Sequence, residues 1–226
     1  LLTGAAIGLA VASKFSALPL LALPLAGALL GIWRASNGRR TGDALDGRVP
    51  AGALLGVLLA WIAAGVAFFI TSPYAVLDWQ SFIQATLIEQ GAMVRGIADM
   101  PFTRQYRNTA PYIYFIQQQI QWGLGWPLGL VAAIGTIFAA VMALRTLWRI
   151  ALSLFQKDLP RHLVTSSPAH NESAQLINLL AWAWVIPYFG LTGAFLAKFN
   201  RYMSPLLPFV LLWAAWSIVW LWEWRR

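Results

Sequence analysis

Cysteine is absent from the 226 residues. No disulfide, thiolate metal site or thiol nucleophile can form. Histidine occurs only as His162 and His170, both in one polar stretch, so a zinc or haem centre has no imidazole set to draw on. Charge is scarce too: 11% of residues are charged, against roughly 25% in a soluble domain. Acidic residues number 8. No Ser-His-Asp arrangement, P-loop or metal-ligand set occurs. No charged segment precedes the first apolar stretch, so the start does not read as a signal peptide. Leu1 stands inside an apolar run, and the chain reads as a piece that begins partway through a larger membrane protein.

What is present is hydrophobicity. Apolar residues make up 59% of the chain and the mean hydropathy is +0.64. These values describe an integral membrane protein. A helix needs about 20 apolar residues to cross a bilayer. Five stretches meet that need: 15–33, 50–70, 122–144, 176–196 and 205–222. Residues 1–12 are too short to span and read as the end of a truncated helix, interrupted at Ser13-Lys14. Pro19 and Pro24 can kink the first full span without breaking it. Polar connections are expected at 34–49 and 145–172, and a long aromatic-rich loop at 71–121. The expected fold is all-α, a polytopic transmembrane helix bundle forming a single truncated domain over 1–226.

Orientation follows from the cations. Placing 34–49, 145–172 and the C-terminal tail on the cytoplasmic side puts ten of the 16 Lys/Arg there, as the positive-inside bias requires. The same bias accounts for the net charge of +8 without a nucleic-acid partner. Lys14, Arg95, Arg104, Arg107, Lys198 and Arg201 then lie outside, against the bias. For Arg95, Arg104 and Arg107 the bland reading is a snorkelling side chain or an ion pair with Asp78, Glu89 or Asp99. Lys14, Lys198 and Arg201 stand at span ends with no carboxylate nearby in sequence.

The outside segment has its own order. Asp78 reads as a helix N-cap. Trp79, Phe82, Ile83 and Leu87 follow at helical spacing and predict an interfacial amphipathic helix that ends near Gly91 and Gly96. Residues 99–114, rich in Pro, Tyr and Arg, read as an ordered loop. Paired glycines four apart, Gly4/Gly8, Gly27/Gly31, Gly52/Gly56 and Gly125/Gly129, predict close helix packing.

Three outside elements can converge: the Ser13-Lys14 break, the 104–114 loop and the hairpin tip at 198–202. Arg and Lys together suit a phosphate, and they stabilise negative charge developing on a phosphate leaving group. Asp78, Glu89 and Asp99 are the in-chain possibilities for a general base. Asp78 reads better as a cap and Asp99 as an arginine partner.

Gly8-Leu-Ala-Val-Ala-Ser-Lys14-Phe15 resembles the Gly-Leu-Ala…Ser-Lys-aromatic element of protein O-mannosyltransferases. Similar Lys-bearing breaks occur in the related transferases that modify lipid A with aminoarabinose. Lys198-Phe-Asn-Arg201-Tyr202-Met-Ser-Pro205-Leu-Leu-Pro208 resembles the closing hairpin of bacterial members. Ser72-Pro73-Tyr74 and the 101–114 stretch are similar to the long extracytoplasmic loop of family-39 glycosyltransferases, in the GT-C superfamily.

That resemblance implies the C-terminal part of an inverting glycosyltransferase in a bacterial inner (plasma) membrane. Such an enzyme moves a sugar from a polyprenyl-phosphate donor to a protein, lipid or glycan acceptor. By resemblance, Lys14, Lys198 and Arg201 hold the lipid phosphate, with Arg104 and Arg107 as weaker ligands and Tyr202 and Asp99 in support. The catalytic base of the family lies in a first outside loop, which matches no position here and is expected before Leu1, so the fragment alone is expected to be inactive. No cofactor is implied, and dependence on a divalent metal is left open. The competing reading is a transporter or lipid flippase with a basic vestibule. Transporters place ionisable groups near the midplane, and no charge lies in the middle of any full span here.

Overall fold

The computed structural model describes residues 1–41, 52–155 and 169–224. Every regular element among them is helical, and five helices are long and apolar enough to cross a membrane. Among the described residues the protein is all-α, and five apolar helices of spanning length suit a multi-pass membrane protein.

Helix α1 (Leu2–Ser13) is short and apolar. It runs in the same direction as α3 (Ala53–Thr71), with Gly4 seated on the Ala60 carbonyl and Gly8 on that of Ala64. A methyl group at either glycine would overlap the α3 backbone, so small residues set the approach, as they do in lipid. Gly27, Gly31, Gly52 and Gly56, expected to act alike, have no atom within 4 Å of where a Cβ would stand.

Lys14 ends α1 in an extended conformation, φ −155° and ψ 112°. The chain reverses through a 3-10 helix at Phe15–Leu21 that contains Pro19, then enters α2 (Ala22–Thr41). Pro24 has no N–H to offer the preceding turn. The Leu21 carbonyl accepts the Trp61 indole N–H of α3 at 2.9 Å.

After α3 come α4 (Tyr74–Leu77), α5 (Trp79–Ile83), a π-helical turn at Gln84–Glu89 and α6 (Gln90–Arg95). Asp78 caps α5 by accepting the Ser81 N–H. Gly96 closes α6 at φ 76°, a left-handed position that suits glycine. The apolar stripe divides between the bundle and the outer surface. Phe82 packs edge-on against Phe15 and Phe68, while Trp79 and Leu87 are exposed. The π turn is wider than an α turn, so it rotates Leu87 away from the face that Phe82 and Ile83 share.

A 3-10 turn at Pro101–Tyr106 leads to α7 (Ile113–Gln118) and a second π turn at Gln119–Gly123. Helix α8 covers Trp126–Phe155 and α9 covers Ala169–Gly193. They run antiparallel, joined by the Asn178 amide N–H on the Ala139 carbonyl at 2.9 Å. Two 3-10 turns, Asn200–Tyr202 and Ser204–Leu206, precede α10 (Leu207–Trp224). Gly135 of α8 lies directly against the Ala214 backbone of α10. The core of this half holds Phe115, Tyr188 and Trp213, all at 2% exposure or less, with Trp182 stacked on Trp213 at 4.4 Å.

Two expected loops begin later than the sequence suggested. Helix α2 continues past Arg34 to Thr41, and α8 continues past Arg145 to Phe155. Arg, Ala and Leu are good helix formers, so leaving the apolar span does not end the helix. The rest of both connections, with His162, lies outside the described residues.

Candidate functional site

The Lys14 break, the segment from Ser72 to Leu124 and the turn after Gly193 gather at one end of the bundle. Backbone hydrogen bonds tie them together. The Leu196 N–H donates to the Val94 carbonyl at 2.6 Å, and the Tyr112 N–H to that of Gly193 at 3.0 Å. The Tyr112 hydroxyl donates to the Gly190 carbonyl at 3.1 Å, and its ring occupies the space that a side chain at Gly193 would fill. Tyr112 holds φ 61° and ψ −54° in a three-residue turn, with the Ile113 N–H on the Pro111 carbonyl. A bulky residue in that conformation is strained. The contacts of Tyr112 with α9 hold it there.

The tip of the closing hairpin is built by a reverse turn. The Tyr202 N–H donates to the Phe199 carbonyl at 2.9 Å. From α9, the buried Tyr188 hydroxyl donates to the Tyr202 carbonyl at 2.7 Å. This fixes Tyr202, which is 9% exposed, beneath two cations. The Lys14 ammonium lies 5.0 Å from the Tyr202 ring centroid. The Arg201 guanidinium lies 4.7 Å from the Phe199 ring centroid and 6.0 Å from that of Tyr202. Neither cation has a carboxylate partner among the described residues. The Lys14 pKa is held below its usual value, first by burial and then by the charge of Arg201. Two like charges thus face one another over aromatic rings.

Tyr106 completes the cluster. It is buried, with its ring edge-on to Tyr114 at 5.8 Å and to Phe199 at 5.6 Å. Its phenol is pushed up by burial and by Tyr114 and Tyr202, and pulled down by Arg201. Three phenols and a guanidinium therefore lie within electrostatic reach of one another. The sequence reading took residues 99–114 as an ordered loop and did not single out Tyr106. The Tyr and Arg content of that stretch was the available signal.

The other expected ligands lie elsewhere. Lys198 is 2% exposed and donates only to the Leu196 carbonyl at 3.4 Å. Its pKa is lowered by burial. Arg104 and Arg107 both engage Asp99, at 2.8 and 2.7 Å, with Arg104 donating through two nitrogens. Arg95 donates to the Gly91 carbonyl of its own helix.

The acidic residues are likewise committed. The arginines, Arg104 first, hold the Asp99 carboxyl below its ordinary pKa, which makes it a poor proton acceptor. Asp78 serves as the α5 cap, and Glu89 accepts from the Gln84 amide at 3.3 Å.

Below the hairpin tip an apolar cavity of about 420 Å³ enters the bundle, with Phe115, Gln119, Trp182, Met203, Leu206 and Trp213 among its walls and neither cation lining it. Met203 follows Tyr202 directly, and the Gln119 amide reaches the Asn200 carbonyl at 3.4 Å. A hydrophobic space thus begins at the residue after Tyr202. The arrangement can accept an anion at the end of the bundle and apolar matter beneath it. No protein-family model, curated protein or solved structure matches this chain.

Proposed function

We propose that this chain is part of an integral-membrane glycosyltransferase of the GT-C type, which moves a sugar from a polyprenyl-phosphate donor to an acceptor at the extracytoplasmic face. The observation that carries this reading is the Lys14–Arg201 pair. The two come from opposite ends of the sequence, share the Tyr202 ring, and have no carboxylate partner among the described residues. Like charges held together raise the energy of the empty site. A phosphate relieves that cost and gains charge-assisted hydrogen bonds. The adjoining apolar cavity suits a hydrocarbon tail.

In transfer, the acceptor oxygen bonds to the anomeric carbon while the sugar–oxygen bond to phosphate breaks. The oxygen and its electron pair stay with the phosphate, where Lys14 and Arg201 meet the growing charge. The acceptor proton passes to a base that we place outside the described residues.

The test pairs binding with turnover. Geranyl phosphate in neutral micelles should bind saturably, and Arg201→Ala should weaken it by about tenfold or more. In membranes carrying the whole reading frame, the same change should lower transfer of a labelled sugar from polyprenyl phosphate by about 100-fold. Unchanged binding and transfer in a folded Arg201→Ala protein would remove Arg201 from the site.

A further inference from the structure

The cation pair carries more information than an affinity for phosphate. Lys14 and Arg201 supply two full positive charges, and no carboxylate among the described residues offsets either. Tyr106, Tyr114 and Tyr202 bring phenols to the same place. The Tyr106 and Tyr202 hydroxyls have no hydrogen-bond partner among the described residues, and their rings are fixed by Phe199 and by Tyr188 on the Tyr202 carbonyl. Asp99, the nearest acid in the loop, is spent on Arg104 and Arg107. Lys198 is buried.

A phosphodiester carries one negative charge, whereas a phosphomonoester carries nearly two above its second ionisation, near pH 6. A diester would leave one of the two cations without a counter-charge. We infer that this cradle is matched to a phosphomonoester dianion, with Tyr106 among its ligands, and discriminates against a phosphodiester. The inference rests on the phosphate-site reading and makes it specific. The group held best is the carrier phosphate after the sugar has left. Negative charge grows on that phosphate as the bond breaks, and interactions stronger in the transition state than in the ground state lower the barrier.

Groups from every packed element enter the pH response. They are Lys14 from the α1 break, Arg201 and Tyr202 from the hairpin tip, Tyr106 from the 3-10 turn, and Tyr114 from α7. An alkyl sulfate keeps one charge between about pH 5 and about pH 7.5, the window that brackets the second ionisation of the phosphate, so it separates a change in the ligand from a change in these groups.

The experiment titrates the chain in neutral maltoside micelles with dodecyl phosphate, its monomethyl ester and dodecyl sulfate, by calorimetry. The dianion fraction of the monoester rises about tenfold between about pH 5 and about pH 7.5. Dodecyl phosphate should tighten by nearly that factor, while the diester and the sulfate stay weaker and unchanged with pH. Tyr106→Phe, which keeps the ring, should weaken the monoester by about fivefold and the diester by less. Equal binding of monoester and diester with no pH response, lost in Lys14→Gln, would overturn the discrimination and leave the phosphate site standing. Failure of all three ligands to bind would overturn both. The ligand comparison needs no variant, so it stands even if Lys14→Gln does not fold.

Discussion

The Lys14 ammonium stands 5.0 Å from the ring centroid of Tyr202, and Arg201, the residue before Tyr202, acts on it electrostatically. One aromatic ring thus faces two cations from distant parts of the chain. Cation–π attraction offsets part of their repulsion, by about 0.5–2 kcal/mol. The remainder is available to an anion.

That geometry gives phosphate binding an alkaline limit. Burial and Arg201 lower the Lys14 pKa below 10.5, so the ammonium is lost at a pH below that of a free lysine. Dodecyl phosphate affinity should therefore fall as pH rises through the lowered value. Arg stays charged throughout this range. Lys14→Arg should remove the alkaline fall while retaining binding near neutral pH, and a titration of affinity against pH checks both curves. An alkaline fall of the same size in Lys14→Arg would assign the titration to another group.

Lys198 makes the opposite kind of prediction, one about stability. It is buried with a single long hydrogen bond to a carbonyl, and an unpaired buried ammonium destabilises the fold. Its folded pKa is lowered from 10.5, so the unfolded chain holds the proton more tightly. Folding stability should rise as pH climbs from the lowered value towards 10.5. Lys198→Met keeps the length of the side chain without its charge. It should raise the thermal midpoint near neutral pH and flatten the alkaline rise, read by circular dichroism in micelles. A lower midpoint for Lys198→Met would mean that the ammonium has a stabilising partner.

How much of this was legible in the sequence depended on the kind of signal. The spans were readable because uncharged length is a local property, and the Asp78 cap because its spacing to Ser81 is local too. The Lys14 break was visible as a polar interruption in an apolar run. The closing of Lys14 onto Tyr202 was not visible, because it depends on how α1 and the hairpin pack. Lys198 and Arg201 looked alike from sequence at three residues' spacing. An extended stretch followed by a 3-10 turn sends one inward and the other to the surface. Tyr106 went unnoticed because its partners Tyr114 and Phe199 come from separate elements. The glycine pairs shared one spacing, yet only Gly4 and Gly8 have both members against a neighbouring helix.

Those two glycines are a direct test of the α1–α3 contact. A side chain at Gly8 would meet the Ala64 carbonyl and the Ala67 methyl, and backbone cannot yield as a flexible side chain can. Gly8→Val should cost about 1–3 kcal/mol, seen as a lower thermal midpoint. Gly27→Val on α2, where no atom lies within 4 Å of the added Cβ, should leave the midpoint nearly unchanged. Since α1 ends at Lys14, Gly8→Val should also displace the ammonium and weaken dodecyl phosphate binding. Equal midpoints for the two variants would show that α1 does not rest on α3 through this face.

Asp99 holds the loop over the site by a different means. Its carboxylate takes two arginines, with Arg104 in a two-pronged contact, and so keeps two guanidinium groups of like charge in one place. The carboxyl's pKa lies below 3.8, chiefly through Arg104. Its contribution is therefore present above pH 3.8 and lost as pH falls through the lower folded value. Asp99→Asn removes the charge at constant shape. All three side chains are about half exposed, so solvent screens the pair and the global midpoint should change little. The local effect should be larger: faster amide hydrogen exchange across residues 99–107, with exchange in α9 unchanged. Because Phe102 and Tyr106 of this loop pack on Phe199, loosening should reach Tyr106 and weaken dodecyl phosphate binding severalfold, while Arg201 keeps its place. Unchanged exchange in Asp99→Asn would show that the aromatic contacts alone order the loop.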